Sequence, residues 1–234
     1  MAVIQPNKEK VRPVMDYREV NQYVSIHTAT SEVCGEKLRV WRTMGENIQL
    51  IDLRKAYLQI HISPELWKYQ VVKVKGKTYC LTRLGFGLSA GPKIMSTIVN
   101  HVLSMDPAVR AGSDSYYDDI IINEDKVSCK KVVELLEKFG LTSKPAEPLV
   151  GGRVLGLRVY KKNGVICWGR DNKIGELSDE ISKRDVFSLC GQLVGHFPVA
   201  GWLRPACSFI KRSLTEQNFD DKANDNTKLM LTDV

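Results

Sequence analysis

Two adjacent carboxylates, Asp118 and Asp119, stand inside an apolar and aromatic run at residues 114–123, Asp-Ser-Tyr-Tyr-Asp-Asp-Ile-Ile-Ile-Asn. Tyr116 and Tyr117 precede them and three isoleucines follow, a composition that favours a β-strand. Charged side chains in such surroundings are unfavourable unless compensated. Two neighbouring carboxylates also repel, which raises one pKa. A bound divalent cation relieves both problems, because hard Mg²⁺ prefers carboxylate oxygens. The competing reading is an ordinary Asp-Asp turn at a hairpin tip. A third carboxylate bears on the choice. Asp52 closes a short apolar strand, 48–51, and a turn-like Arg54-Lys55-Ala56 follows. A lone Asp there would be a cap or turn residue. Three carboxylates at strand boundaries can instead hold two Mg²⁺ ions about 3.5–4 Å apart, the arrangement used for in-line phosphoryl displacement.

Four separated motifs carry a resemblance. They are Arg12-Pro-Val-Met-Asp-Tyr-Arg-Glu-Val-Asn21, Asp52-Leu-Arg-Lys-Ala-Tyr57, Phe86-Gly-Leu-Ser-Ala-Gly-Pro92 and Tyr116-Tyr-Asp-Asp119. In this order the chain resembles the reverse transcriptase domain of LTR retrotransposons and retroviruses, nearest in character to the Gypsy and Pao-like groups, over about residues 3–213. The resemblance implies an RNA-directed DNA polymerase that extends a primer from dNTPs on an RNA or DNA template. It implies catalytic Asp52, Asp118 and Asp119, with two Mg²⁺ (or Mn²⁺) held by Asp52, Leu53, Asp118 and Asp119. Nucleotide binding falls to Arg12, Lys55, Ala56, Tyr57, Phe86, Gly87, Tyr117 and Lys144.

Within that set, Arg12 suits triphosphate because its planar fork binds phosphate oxygens bidentately. Lys55 and Ala56 would act through backbone N–H groups. Tyr57 matches the aromatic that excludes a 2′-hydroxyl, against the plain reading of a core tyrosine. Lys144 matches a lysine that protonates pyrophosphate, a role that needs only a positioned donor. Val154, Leu155, Gly156 and Leu157 resemble the primer grip. Trp168, Arg170, Lys183 and Arg184 are candidates for phosphate contacts, or for a solvated basic face. The chain departs from the family at its first hairpin, where the usual lysine would align near Gln5 or Pro6, and at Gly91, where alanine is more usual.

The elements that must position these residues follow from pattern. A hairpin is expected over 1–24 with its turn at 6–9, and a basic amphipathic helix over 35–43 carrying Leu38, Val40 and Trp41. A hairpin over 69–82 turns at Lys75-Gly76-Lys77. A helix over 93–105 should show Ile94, Ile98, His101 and Val102 on one side. A second helix over 127–139 should turn Val132, Leu135, Leu136 and Phe139 inward and end at Gly140. A further hairpin turns at Lys162-Asn163-Gly164, and helices are expected over 179–194 and 202–213. Helices on one face of an antiparallel sheet make an α+β fold. The resemblance implies the right-hand polymerase arrangement, with fingers and palm over 1–168, a helical thumb over 169–213 and a polar, flexible tail over 214–234.

Composition bounds the alternatives. The 234 residues are 43% hydrophobic, enough for a real core, and the net charge of +7 suits a polyanionic partner. Six cysteines without a C-x-x-C pair and four scattered histidines argue against zinc. Reduced thiols, no signal-peptide core and no membrane-spanning run point to an intracellular protein, cytoplasmic or nuclear. RNase H and integrase domains are expected elsewhere in a parent polyprotein. Neither a P-loop nor a G-x-G-x-x-G motif is present. Two rivals stand: a catalytically inactive, retroelement-derived nucleic-acid-binding or scaffold protein, and an RNA-dependent RNA polymerase, a class that usually lacks a large aromatic at the place of Tyr57.

Overall fold

The computed structural model describes residues 2–5, 10–13, 15–25, 33–170, 180–197 and 199–232. They fall into two compact units, Met1–Ser31 with Met44–Leu149 and Glu32–Thr43 with Val150–Val234. This partition by contact differs from the functional division expected above.

In the first unit, β1 (Ala2–Gln5) and β2 (Lys10–Pro13) pair antiparallel, and a short helix α1 (Arg18–Asn21) follows. The expected turn at 6–9 lies outside the described residues. After α2 (Val33–Arg42), which belongs to the second unit, come β3 (Ile48–Asp52) and the hairpin β4 (Val71–Val74) and β5 (Lys77–Cys80). Next are the helices α3 (Gly91–Ser104) and α4 (Pro107–Gly112). The acidic run forms β6 (Ser113–Tyr116) and β7 (Asp119–Asn123), followed by α5 (Cys129–Lys138) and the short β8 (Glu147–Pro148). The central antiparallel sheet has the order β6-β7-β3-β8. Its isoleucines Ile51, Ile120 and Ile122 join Met95 and Val99 of α3, Val109 of α4 and Val132 and Leu136 of α5 in one buried core. Burying each such side chain contributes about 1.5–3 kcal/mol, which is what fixes the ends of β3 and β7 in place.

The second unit holds β9 (Arg153–Val154), β10 (Leu157–Lys162) and β11 (Val165–Gly169), paired in the order β11-β10-β9. The β10–β11 turn is Asn163-Gly164, both with positive φ, as a two-residue hairpin loop of this hand requires. Trp41 of α2 is fully buried and packs against Trp168 of β11, ring centroids 6.3 Å apart. The helices α6 (Lys183–Leu193), α7 (Leu203–Ser213) and α8 (Asp225–Thr232) share a second core of Val186, Leu189, Cys190, Leu193, Cys207 and Ile210. A capping box of Ser182 and Asp185 starts α6.

Four expectations need correction. The buried face of α3 carries Met95, Val99, Val102 and Leu103, while Ile94 and His101 are exposed. Apolar residues occupy nearly three sides of that helix, so periodicity alone does not select the face that α4, α5 and β6 cover. Phe139 is exposed because the helix stops at Lys138 and the chain turns at Gly140 (φ +77). Val40 of α2 points outward. The segment 214–232 is not a free tail: Leu214, Ala223 and Leu231 are buried in the second core, and Thr227 is buried with its Oγ1 donating to Asn224 Oδ1 at 2.9 Å. Its polar composition masks a few apolar contacts that suffice to dock α8. Among the described residues no helix is long and apolar enough to cross a membrane.

Candidate active site

Backbone register brings the three carboxylates together. Asp52, the last residue of β3, pairs with Asp119, the first residue of β7. Tyr116 pairs with Asp119 across the β6–β7 hairpin, leaving Tyr117-Asp118 as its two-residue turn. The turn needs a positive φ at its first position, and Tyr117 supplies it at +55°. A bulky side chain is unfavourable there, a strain typical of functional turns. The Tyr116 and Tyr117 rings brace the turn edge to face at 4.5 Å. The Leu53 N–H donates to the Asp118 carbonyl at 3.1 Å, tying the turn to the end of β3.

Burial, then the charges of Asp118 and Asp52, push the Asp119 carboxyl up to about 6. Burial also raises Asp118, with Asp52 adding to the shift and Lys144 opposing it. Lys144 Nζ lies 2.5 Å from Asp52 Oδ2. Both partners are substantially exposed, so the pair adds little stability; its interest is that a cation already sits against a carboxylate of this group. The loop carrying Lys144 is sewn to the end of β3. Lys144 N donates to Asp52 O at 2.8 Å and Arg54 N to Thr142 O at 3.0 Å, while Gln59 accepts from Thr142 N at 2.6 Å. Among the described residues no three His, Cys, Asp or Glu side chains already converge as a metal-ligand cluster. The donor chemistry nevertheless fits a hard divalent cation: two carboxylates raised by burial and by neighbouring carboxylate charge, and a third paired with an ammonium group.

Beside the carboxylates lies an aromatic wall. Lys55, at φ +46°, turns the chain into a 3₁₀ turn, Ala56–Gln59, in which Ala56 is buried and Tyr57 half-buried. The Tyr57 ring meets Phe86 edge to face at 5.4 Å. Burial raises the Tyr57 hydroxyl pKa, and the Asp118 charge raises it further. Gly91 lies under this ring, since a Cβ there would stand 3.2 Å from Tyr57 Cε1. The Gly85-Phe86-Gly87 segment is held by residues that sequence reasoning missed. Buried Gln70 accepts through Oε1 from Gly85 N at 2.8 Å and from the Tyr17 hydroxyl at 3.2 Å, and its Nε2 donates to Arg83 O at 3.1 Å. Asn21 Nδ2 donates to Gly87 O at 3.0 Å, and Ser89 N donates to Asn21 Oδ1 at 2.8 Å. Tyr17 and Asn21 fall within the first motif, which was the available signal; nothing in the sequence marked Gln70 or Gln59.

The other candidates stand elsewhere. Arg12 is in β2, opposite Val3; its side chain lies outside the described residues. Val154, Leu155, Gly156 and Leu157 form the β9–β10 turn of the second unit, with Val154 and Leu157 buried and positive φ at Leu155 and Gly156. The basic-face candidates are committed internally. Lys183 is buried and donates to Gln217 O at 2.6 Å, Arg170 donates to Gly195 O at 2.9 Å, Arg184 pairs with Asp220 at 3.0 Å and Trp168 packs on Trp41.

The chain is 32% identical over 131 residues to the Pro-Pol polyprotein of Simian foamy virus type 1, a match covering 56% of this chain and 11% of that protein. It is 31% identical over 130 residues to the Pro-Pol polyprotein of Simian foamy virus type 3 (strain LK3), covering 55% of this chain and again 11% of the relative. The chain is similar to part of a retroviral Pro-Pol polyprotein. It spans only about a tenth of those relatives' length. The fold matches a solved foamy viral protease–reverse transcriptase in complex with double-stranded DNA, with a TM-score of 0.71 and 19% identity, over 99% of this chain and 42% of that one. A family model described as a domain of unknown function, DUF7047, matches residues 182–234.

Proposed function

We propose that the chain is the polymerase core of an RNA-directed DNA polymerase from an LTR retroelement of Gypsy or Pao-like character. The observation that carries this reading is the register pairing of Asp52 with Asp119, with Asp118 in the adjoining turn and the Tyr57–Phe86 wall alongside. In this reading residues 1–168 make up fingers and palm, with the carboxylates on the β6-β7-β3-β8 palm sheet, and α6 and α7 belong to the thumb over 169–213. Two Mg²⁺ ions held by Asp52, Asp118, Asp119 and the Leu53 carbonyl would supply the charge that activates a primer 3′-hydroxyl and stabilises departing pyrophosphate.

The protein's own groups do the positioning. Arg12 and the backbone donors at Lys55 and Ala56 clamp the triphosphate of the incoming dNTP. Tyr57, pressed between Phe86 and Gly91, lies under the sugar and excludes a 2′-hydroxyl. Phe86 and Gly87, fixed by Gln70 and Asn21, line the base, and the Tyr117 backbone presents Asp118. Lys144 Nζ leaves Asp52 and donates its proton to the pyrophosphate oxygen. The β9–β10 turn steadies the primer end. Partners are then primer–template and dNTPs, and the place of action is intracellular.

The intact carboxylates favour this reading over an inactive scaffold. Primer extension on poly(rA)·oligo(dT) with dTTP and Mg²⁺ tests it. Extension that Asp52→Asn or Asp118→Asn abolishes is the expected result. A folded chain that binds primer–template without extending it is the scaffold's result.

A further inference from the structure

Residues 66–83 carry Lys68, Lys73, Lys75, Lys77 and Arg83 and no acidic residue. Most of this segment forms the β4–β5 hairpin, a separate two-stranded sheet. It is open on both faces. Of residues 71–80 only Val72 is partly covered, and Val71, Val74 and Tyr79 are each about half exposed. Tyr69, at the root, is likewise exposed, with Lys68 Nζ 5.1 Å from its ring centroid. Among the described residues Lys73, Lys75 and Lys77 make no ion pair.

A two-stranded hairpin bare on both faces is marginal by itself. This one is nonetheless firmly rooted. Leu81 N donates to Gln70 O at 2.9 Å, and Leu84 N donates to Ile60 O at 3.0 Å. From there the chain runs directly into Phe86, the ring that meets Tyr57. The five residues from Val71 to the tip span roughly 16 Å at strand rise. The hairpin thus projects from the same segment that forms the aromatic wall of the candidate site.

The lysines blunt the sheet edge, as edge charges generally do. Edge blunting does not explain the exposed tyrosines beside them, Tyr69 and Tyr79. A second copy of the chain is a poor occupant, because edge pairing would set lysine against lysine. Single-stranded nucleic acid suits both features: ammonium groups take its phosphates, and tyrosine rings take its bases by stacking.

We propose that the β4–β5 hairpin is a contact for single-stranded nucleic acid, the unpaired template stretch outside the polymerase centre. The proposal rests on the polymerase reading only for naming that strand as template.

The test uses the whole chain in buffer without Mg²⁺ or dNTP, so catalysis plays no part. Fluorescence anisotropy measures binding of labelled oligo(dT) and of a blunt duplex across a salt series. The triple reversal Lys73→Glu, Lys75→Glu, Lys77→Glu should weaken oligo(dT) binding by about tenfold or more and flatten the slope of log affinity against log salt by about 2, at roughly 0.7 per phosphate contact. Tyr79→Ser should weaken it by about fivefold with the slope unchanged, since stacking releases no counterions. Duplex binding should stay at wild-type strength in both variants. Oligo(dT) affinity and slope unchanged in the triple variant overturns the proposal. So does equal loss for the duplex, displacement of oligo(dT) by poly-glutamate at equal charge, or a change confined to oligomeric state. If the reversal lowers the melting temperature, the triple Lys→Gln variant is read by the same criteria. A chain that binds through the hairpin but extends no primer retires the polymerase reading and leaves this one standing.

Discussion

Gln70 is predicted to be the hydrogen-bond hub of the first unit, and Gln70→Leu is the perturbation that exposes it. The side chain is 3% exposed. Leucine of similar volume fills its space, so the cavity contribution is small. Three groups then lose their partner: the buried Gly85 N–H, the Arg83 carbonyl and the Tyr17 hydroxyl. A buried donor left unsatisfied costs about 1–3 kcal/mol, and each of the other two about 0.5–1 kcal/mol because they retain alternatives. The hydroxyl keeps a contact to Met15 Sδ at 3.5 Å. The total is about 2–5 kcal/mol, a large fraction of the roughly 5–15 kcal/mol typical of a folded protein. At about 2–4 °C per kcal/mol for a chain of this size, the melting temperature should fall by roughly 4–20 °C. Tyr17→Phe removes the 3.2 Å bond and the weaker contact to Met15 Sδ but leaves Gly85 N–H satisfied, so it should cost about 0.5–1.5 kcal/mol. Denaturant titrations of both variants give the comparison, and hydrogen exchange at the Gly85 amide gives a local readout that should accelerate only in Gln70→Leu. A Tyr17→Phe cost equal to or above that of Gln70→Leu would refute the hub.

Three further outcomes follow from the same geometry. A Cβ on Gly112 would collide with the Val127 side chain, so Gly112→Ala should destabilise by about 1–3 kcal/mol. Adding Val127→Ala should recover part of that loss in a double-mutant cycle, and strict additivity would contradict the clash. The Asp119 carboxyl is raised from 3.8 to about 6 in the folded protein. The native state therefore binds this proton more tightly, and its contribution to stability is lost as pH rises through that window. The lowered carboxyls of Asp16, Asp106 and Asp185 act in a more acidic range. Thermal scans should show Mg²⁺ raising the melting temperature more at pH 7.5 than at pH 5, with Asp119→Asn flattening the difference; an equal Mg²⁺ effect at both values sinks the account of Asp119. Tyr57→Val should raise kcat/KM for rNTP relative to dNTP by roughly tenfold to a hundredfold, while an unchanged ratio would make Tyr57 a core residue only.

The acidic hairpin was legible in sequence because two independent signals coincide there, a β-branched run and a doubled carboxylate in a fixed motif. Asp52, a lone carboxylate, was legible from its place at the end of an apolar strand and at the head of the Asp52–Tyr57 motif. Pairing of Asp52 with Asp119, the fact that assembles the site, was not: register depends on which isoleucines α3 and α5 cover. The buried face of α3 was not legible because Ile94, Met95, Ile98, Val99, Val102 and Leu103 satisfy more than one stripe, and only the neighbours choose. Helix α4 escaped notice because it is short and rests on its cap, Asp106 accepting from the N–H groups of Ala108 and Val109. Helix α8 was hidden by polar composition. The bonds by which Gln70 holds Arg83, Gly85 and Tyr17 and Gln59 holds Thr142 span 13 to 83 residues in sequence, and no local pattern encodes such reach.

The most direct measurement is primer extension by the purified chain on poly(rA)·oligo(dT) with dTTP, comparing wild type, Asp52→Asn and Asp118→Asn in Mg²⁺ and in EDTA. The account predicts extension by wild type in Mg²⁺ alone, and a loss of about a hundredfold or more in each variant, since each removes charge placed for the transition state. Wild-type rates in both variants, or a folded wild type that binds the primer–template and adds no nucleotide, would contradict it.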